Sequence, residues 1–323
     1  MALGRVFSWN RYRRCGRVFR HPLRAHLQLA RTRRGSGPHT LVFADGRTLR
    51  FERPRSFRTL WDAILTGEAD LDPRCDETCL LLTCDGQVVG LRPDTSDAKC
   101  FEEVYLDDVY GFDAVAEPWD TVVDLGANSG LFAVRAAKRA RRVIALEPVP
   151  DHHHAAELNF ARADVAGNIT LLNLAAWRRS DEQLQIHLSG NATSTCSVSP
   201  GFASAFGGAG GAVEVTTISL EDLFRRHEVE RCSLLKCDIE GAEYDVFEAA
   251  PLEVLGRVDR ILLEVHLHPV ELPLERFHQL RDRLEQAGFA LEHDPVHEAE
   301  RTTVMLTATH RRVAHQAASA VAG

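Results

Sequence analysis

The run Val122–Val123–Asp124–Leu125–Gly126–Ala127–Asn128–Ser129–Gly130 constrains the fold more than any other stretch of the chain. It reads as a short buried strand ending in an acid, then a Gly-spaced turn into a helix from Leu131 to Ala140. A second apolar run, Val143–Ile144–Ala145–Leu146, follows and ends in Glu147. Strand, tight turn, helix and a second strand ending in a carboxylate are the layout of a nucleoside-cofactor site on a parallel sheet. Gly126 and Gly130 lack a Cβ, so the backbone there can turn sharply and approach a ligand closely. Glu147 lies 17 residues after Gly130, near the spacing of a carboxylate that accepts ribose hydroxyls.

The pattern is Gly126-x-x-x-Gly130 rather than G-x-G-x-x-G, and Asp124 stands before the first Gly. A carboxylate there repels a pyrophosphate but suits the cationic amino-acid end of S-adenosylmethionine. The plain alternative, a Gly-rich turn with no ligand, has no use for Glu147.

Half of what composition says lies in its distribution. The 323 residues carry a formal charge of −8, yet residues 1–40 hold ten Arg and no Asp or Glu, so the rest of the chain is at −18. That acidic body argues against general nucleic-acid binding. The basic segment interleaves Arg11, Arg13, Arg14, Arg17, Arg20 and Arg24 with Trp9, Tyr12, Phe19 and Leu23. A solvated basic tail is the expected reading, against an anionic membrane surface, RNA or a transit peptide. No apolar run reaches the ~18–20 residues of a membrane span. Eight cysteines with no apolar segment after Arg13–Arg14 fit free thiols and a cytoplasmic location. Cys75, Cys79 and Cys84 are spaced by four and five, a weak metal signature because a zinc site needs four ligands. His152, His153 and His154 point in different directions on a helix and read as surface residues.

Four segments are expected: a basic tail (1–40), a small β-rich extension (41–112), an α/β domain (113–309) and a C-terminal tail (310–323). In the extension, Thr40–Phe43 and Thr48–Glu52 flank Asp45–Gly46, and Leu80–Thr83 and Val88–Leu91 flank Asp85–Gly86, two hairpin signals. Phe57–Leu65 between them reads as a short helix. From Trp119 onward strands near 121–125, 142–147, 169–174, 232–238 and 258–266 alternate with helices near 130–140, 151–163, 218–228, 241–249 and 273–287. That rhythm predicts a parallel sheet covered on both faces. Residues 289–293 and 301–309 close it as an antiparallel pair. The Ser-, Gly- and Ala-rich segment 189–212 reads as a flexible lid, or plainly as a surface insertion.

Leu234 to Glu243 is the other dense motif. Alternation puts Lys236 and Asp238 on one face of a strand and Leu235 and Cys237 on the other. Gly241 then releases the chain into a helix. The next strand ends Leu263–Glu264–Val265–His266, with Glu264 and His266 on one face. Ligands of open parallel sheets sit outside the carboxyl ends of the strands, so these groups face the crevice of Gly126 and Glu147. His266 has the unperturbed pKa of a general base. Asp238 can accept a proton, contact a cofactor or hold a divalent cation with Glu240, and Lys236 can steady the carboxylates. Glu240 and Glu243 also suit a helix N-terminus on dipole grounds alone.

With both motifs in hand, the chain resembles the FkbM-type methyltransferases. The carrying pieces are Val123 to Gly130, Val143 to Pro148, Leu174–Ala175–Ala176, Leu235 to Glu243 and Leu263 to His266, in the family's order over roughly residues 100–290. The resemblance implies an α/β fold of the class I methyltransferase (Rossmann-like) type, with a seven-stranded, mostly parallel sheet. It implies S-adenosylmethionine as cofactor and methylation of a hydroxyl oxygen on a small molecule, sugar or lipid. It places Asp124, Gly126, Asn128 and Gly130 around the methionine part, Glu147 on the ribose and Ala176 or its neighbours near the adenine. His266 or Asp238 is then the expected proton acceptor, with Lys236 as its electrostatic partner. Nothing in the sequence establishes a metal; were one present, Asp238, Glu240 and Glu264 are the expected ligands. A non-catalytic binding module and a nicotinamide-dependent oxidoreductase are the rival readings. The first has no need of intact Asp124, Glu147, Asp238 and His266, and the Gly spacing counts against the second.

Overall fold

A computed structural model of the chain describes residues 19–21, 23–24, 39–51, 63–64, 67–72, 74–75, 78–112, 118–189, 196–198, 209–268, 270–293 and 303–313. It divides into two compact units, one of residues 1–114 with 158–164 and one of residues 115–157 with 165–323. The expected basic tail and most of the Phe57–Leu65 helix lie outside the described residues.

Both hairpins of the first unit form where the turn residues place them. Strands β1 (His39–Val42) and β2 (Thr48–Phe51) pair antiparallel across Asp45–Gly46. After β3 (Asp70–Leu71), β4 (Leu80–Cys84) and β5 (Gln87–Leu91) pair across Asp85–Gly86, with positive φ of 49° and 72° at the two turn residues. Double positive φ matches the twist of the flanking strands. The clustered thiols serve the backbone: Cys75 Sγ accepts from the Leu81 N–H at 3.1 Å and donates to the Leu81 carbonyl at 3.2 Å. Helix α1 (Asp97–Phe101) and a π-helical turn (Glu102–Leu106) follow.

The second unit is built on a sheet that, among the described residues, has seven strands. They are β6 (Trp119–Leu125), β7 (Ala140–Leu146), β8 (Ile169–Leu172), β13 (Leu234–Cys237), β14 (Arg260–His266), β15 (Phe289–His293) and β16 (Thr303–His310), ordered β15-β16-β14-β13-β6-β7-β8. Only β16 runs against the others. From β6 the chain winds outward through β7 and β8, then returns to the other side of β6 with β13. This reversal opens the crevice where open parallel sheets hold ligands.

Why the strands read as continuous apolar runs is clear from burial. All four residues of β13 and the last five of β6 are buried. Val123, Leu125, Leu235 and Cys237 join one large core with Phe224, Tyr244, Phe247, Phe277 and Phe289. Each such aromatic or aliphatic side chain contributes about 1.5–3 kcal/mol relative to exposure. Val122, Asp124, Leu234 and Lys236 alternate onto the opposite face. Helix α2 (Leu131–Ala137) starts after Gly130, which is left-handed at φ 79°, and stops short because β7 begins at Ala140. Helix α3 spans Pro150–Arg162. Helix α4 (Leu220–Arg226) starts later than 218 because Ser219 caps it, its side chain accepting from the Asp222 N–H. Helices α5 (Glu243–Ala249), α6 (Leu252–Leu255) and α7 (Leu274–Gln286) complete the unit.

Three expectations change. The 169–174 strand stops at Leu172, and Ala175–Ala176 is a separate strand, β9. Part of the expected lid is sheet: β10 (Gln183–Ser189), β11 (Cys196–Ser197) and β12 (Ala209–Ile218) join β9 in a second sheet, order β11-β10-β12-β9. Its alternating apolar residues Ile186, Val213 and Val215 pack with Val149 and Ala175, which the Gly- and Ala-rich composition hid. Residues 190–195 and 199–208 lie outside the described residues. Third, the segment after 310 opens with an anchored turn, in which the Arg312 guanidinium donates to the carbonyls of Gly256 and Val258 and to Asp259. No described helix is long and apolar enough to cross a membrane.

Burial pushes the Cys75 thiol up to about 11 and that of Cys232 to about 12, and raises Cys237 well above its ordinary value. Among the cysteines whose burial is described, maleimide labelling of the native protein at pH 8, read by peptide mass mapping, is expected to modify the partly exposed Cys79 and Cys100 first. Cys232 and Cys237 should react only after denaturation. Comparable native labelling of Cys232 would mean that the core is open.

Candidate active site

Two carboxylates and a lysine meet at the carboxyl ends of β6 and β13. In register, Lys236 on β13 faces Asp124 on β6, so both side chains leave the same side of the sheet. The Lys236 ammonium donates to the Gly126 carbonyl at 2.7 Å, and lies 3.3 Å from Asp124 Oδ1 and 4.0 Å from Asp238 Oδ2. The Phe132 ring stands 6.0 Å away. Asp124 is fully buried, and neither of its oxygens has a well-formed hydrogen bond among the described residues. Burial raises its pKa, and Lys236 opposes that rise.

Gly126 is required for a reason the sequence did not show. At φ +80°, a Cβ there would stand 1.9 Å from the Asp238 carbonyl oxygen. What presses on this glycine is thus the neighbouring strand end, and the Asp238 N–H in turn donates to the Leu125 carbonyl at 3.2 Å.

Glu147, buried at the end of β7, ties two loops together. Its Oε2 accepts from the Asn128 N–H at 2.7 Å and its Oε1 from the Val149 N–H at 2.9 Å. Asn173 Nδ2 donates to the Glu147 and Pro148 carbonyls at 2.9 and 3.0 Å. His152 Nδ1 approaches Glu147 Oε1 to 3.7 Å. The expectation of three surface histidines therefore fails for His152, which is buried; His153 is half-buried and His154 exposed. Asn128 holds φ 51°, and its side-chain oxygen is buried without a partner among the described residues.

A second cluster gathers where β13 and β14 end. The Glu243 carboxylate, wholly buried, accepts from the Ile239 N–H at 3.1 Å and the Gly241 N–H at 3.0 Å. Its Oε1 also lies 2.9 Å from His266 Nδ1. On the other side of that ring, His266 Nε2 is 3.3 Å from Glu240 Oε2 and 4.0 Å from Glu264 Oε1. Burial works against charge on His266, but Glu243 and Glu240 outweigh it and raise the ring to about 10. Glu240 itself is raised to about 8, first by burial and then, against the pull of His266, by Asp238 and the other carboxylates. An imidazolium with a carboxylate at each nitrogen has no lone pair to offer, so this arrangement does not suit His266 as a general base. The Tyr244 hydroxyl fixes the strand end by donating to the His266 carbonyl at 2.9 Å.

The structure thus brings Asp124, Gly126, Asn128, Glu147, Lys236 and Asp238 to neighbouring strand ends, with Gly130 opening α2. Ala176 instead packs in the hydrophobic core with Ile218 and Leu220. Sequence reasoning missed His152 and Asn173, and gave Glu243 no partner in His266.

Residues 124–291 match the family description "Methyltransferase FkbM domain". The chain belongs to the FkbM methyltransferase family. Its strand order is that of class I, Rossmann-like methyltransferases. The chain is also similar to part of the AMB antimetabolite synthetase AmbE of Pseudomonas aeruginosa, 28% identical in an alignment of length 238 that covers 63% of this chain. That stretch spans 11% of the relative's length. Solved structures similar to the chain include an rRNA methylase from Streptococcus thermophilus (11% identity, 64% of this chain and 95% of that one, TM-score 0.40). Another is Aeropyrum pernix fibrillarin in complex with S-adenosyl-L-methionine (13% identity, 84% and 94%, TM-score 0.38).

Removing the lysine tests the strand tie. Lys236→Met leaves Asp124 buried without its cation and is expected to cost about 3–5 kcal/mol in urea unfolding. Adding Asp124→Asn should recover much of that loss. A single mutant as stable as the wild type would show that the pair carries no structural role. Gly126→Ala should be at least as damaging, since the Cβ meets backbone rather than a flexible side chain.

Proposed function

We propose that the FkbM domain transfers a methyl group from S-adenosylmethionine to a hydroxyl oxygen of a small molecule, sugar or lipid. The observation that carries the reading is a set of buried acceptors at adjoining strand ends: Asp124 and Asn128 with unmet hydrogen-bonding capacity, and Glu147 beside them. Each Glu147 oxygen takes one backbone N–H and keeps a second lone pair for a ribose hydroxyl. Asp124, with Lys236 on one side, offers its remaining acceptors to the amine of the methionine part. Asn128 adds an acceptor in the same turn, and Gly130 sets the course of the chain into α2. Ala176 reaches an adenine only through its neighbour: the Trp177 indole N–H is buried without a partner among the described residues and suits a ring nitrogen.

The cofactor supplies an electrophilic methyl group on a sulfonium, whose positive charge the transfer discharges. The C–S bond breaks as the O–C bond forms, and the hydroxyl proton must go to a base. Asp238 is the better acceptor, because it is partly exposed at the strand end while His266 already carries its proton. Lys236, 4.0 Å from Asp238, balances the acid before transfer. The remaining task is orientation and exclusion of water. Glu240, Glu264 and Asp238 make the rim acidic, and the body of the chain is at −18, which favours a neutral or cationic acceptor over a polyanion.

Calorimetry with S-adenosylhomocysteine and with NAD tests the cofactor. Binding of the first and not the second is expected, and the reverse overturns the proposal. Glu147→Ala should weaken S-adenosylhomocysteine by roughly ten- to a hundredfold, the loss of charge-assisted hydrogen bonds worth ~1.5–3 kcal/mol. Labelled methyl transfer into hydroxyl-bearing extracts tests the reaction. Asp238→Asn should cut that rate while leaving S-adenosylhomocysteine affinity near wild type; binding with no transfer to any acceptor would favour a non-catalytic module.

A further inference from the structure

The cluster around His266 has more order than the methyl transfer asks of it. Asp238, Glu240 and His266 each present a ligand atom, and the three atoms lie within 4.8 Å of one another. Neighbouring ligands of one ion at ~2.0–2.2 Å stand ~2.8–3.6 Å apart, so the His266–Glu240 pair at 3.3 Å is already spaced for a shared cation, and Asp238 would have to close by no more than about 2 Å. The ring is also aimed. Glu243 is locked by the Ile239 and Gly241 amides and fixes Nδ1 as the donor, which turns Nε2 toward Glu240. A carboxylate that orients a histidine through its far nitrogen is the support that metal-binding imidazoles need.

Charge counts in the same direction. Asp238, Glu240, Glu243 and Glu264 all lie about this one ring, and Lys236, which donates to Gly126, stands 3.3 Å from Asp124 and 4.0 Å from Asp238. A divalent ion in place of the Nε2 proton adds one unit of positive charge among these acids. We propose that Asp238, Glu240 and His266 hold one divalent transition-metal cation where β13 and β14 end. One imidazole nitrogen with two carboxylate oxygens suits manganese, iron(II), cobalt or zinc better than magnesium or calcium, which prefer oxygen throughout. Sequence expectation named Glu264 as the third ligand; the side chains whose ligand atoms all lie within 4.8 Å of one another are Asp238, Glu240 and His266. The site rests on these contacts and not on the cofactor reading.

The test uses the full chain, stripped with EDTA, desalted and titrated with Mn²⁺ in the absence of any nucleoside, with free Mn²⁺ read by electron paramagnetic resonance. One Mn²⁺ is expected per chain, bound at least about tenfold more weakly by Glu240→Gln, a substitution at a partly exposed position. Pulsed spectra of the bound ion should carry ¹⁴N coupling, lost in His266→Gln, and Mn²⁺ should raise the melting temperature of the wild type but not of a folded Asp238→Asn/Glu240→Gln double variant. No binding to folded wild type up to about 1 mM Mn²⁺ overturns the proposal. So does binding without ¹⁴N coupling, or binding untouched in Glu240→Gln. S-adenosylhomocysteine affinity, measured separately in EDTA, reports on the cofactor site alone, so either reading can fail without the other.

Discussion

One ammonium group sets the positions of two strand ends. Lys236 leaves β13 on the same face as Asp124 leaves β6, and its ammonium donates across the gap to the Gly126 carbonyl while standing between the two flanking acids. A lysine so deeply buried is tolerable only where its charge is matched and its protons are used. Here both conditions hold, and the result is a fixed distance between the turn after β6 and the turn after β13. Gly126 enforces that distance from the other side, since any side chain would strike the Asp238 carbonyl. The crevice of the FkbM domain therefore inherits its shape from one ion pair and one missing methyl group.

Around this tie, two buried glutamates act alike at opposite ends of the crevice. Glu147 gathers the amides of Asn128 and Val149, and Glu243 those of Ile239 and Gly241. Loops after parallel strands have backbone donors with no ladder to join. A carboxylate that accepts several of them holds an irregular turn as firmly as a regular element. Asn128 and Glu240, both left-handed at φ 51° and 54°, sit in the two turns so held.

The elements were legible because their signals are local. Uninterrupted apolar runs marked β6, β7, β13 and β14, and Asp-Gly pairs marked both hairpins, since each signal depends on residues adjacent in the chain. The strand ends Asp124, Glu147, Lys236 and Asp238 followed from the topology those runs imply. What stayed hidden depends on partners far off in sequence. Nothing next to His152 announces that it turns inward toward Glu147, and Glu243 looks like any acid at a helix start until His266, 23 residues later, arrives beside it. The reason for Gly126 lies in the carbonyl of residue 238. The second sheet was missed because β12 opens on Ala-Gly-Gly, a composition that says loop, and becomes strand by pairing with β10 on one side and β9 on the other.

The lone reversed strand has a consequence for how the chain is made. β16 lies between β14 and β15, although it is translated after both. Until residues 303–310 have left the ribosome, β14 keeps an open row of amides and carbonyls down the side that β16 will cover. Five parallel strands can be complete while that flank remains adhesive to any other extended peptide. The emerging chain thus has a defined window of vulnerability, which closes when β16 slots in and Arg312 latches onto the loop that precedes β14.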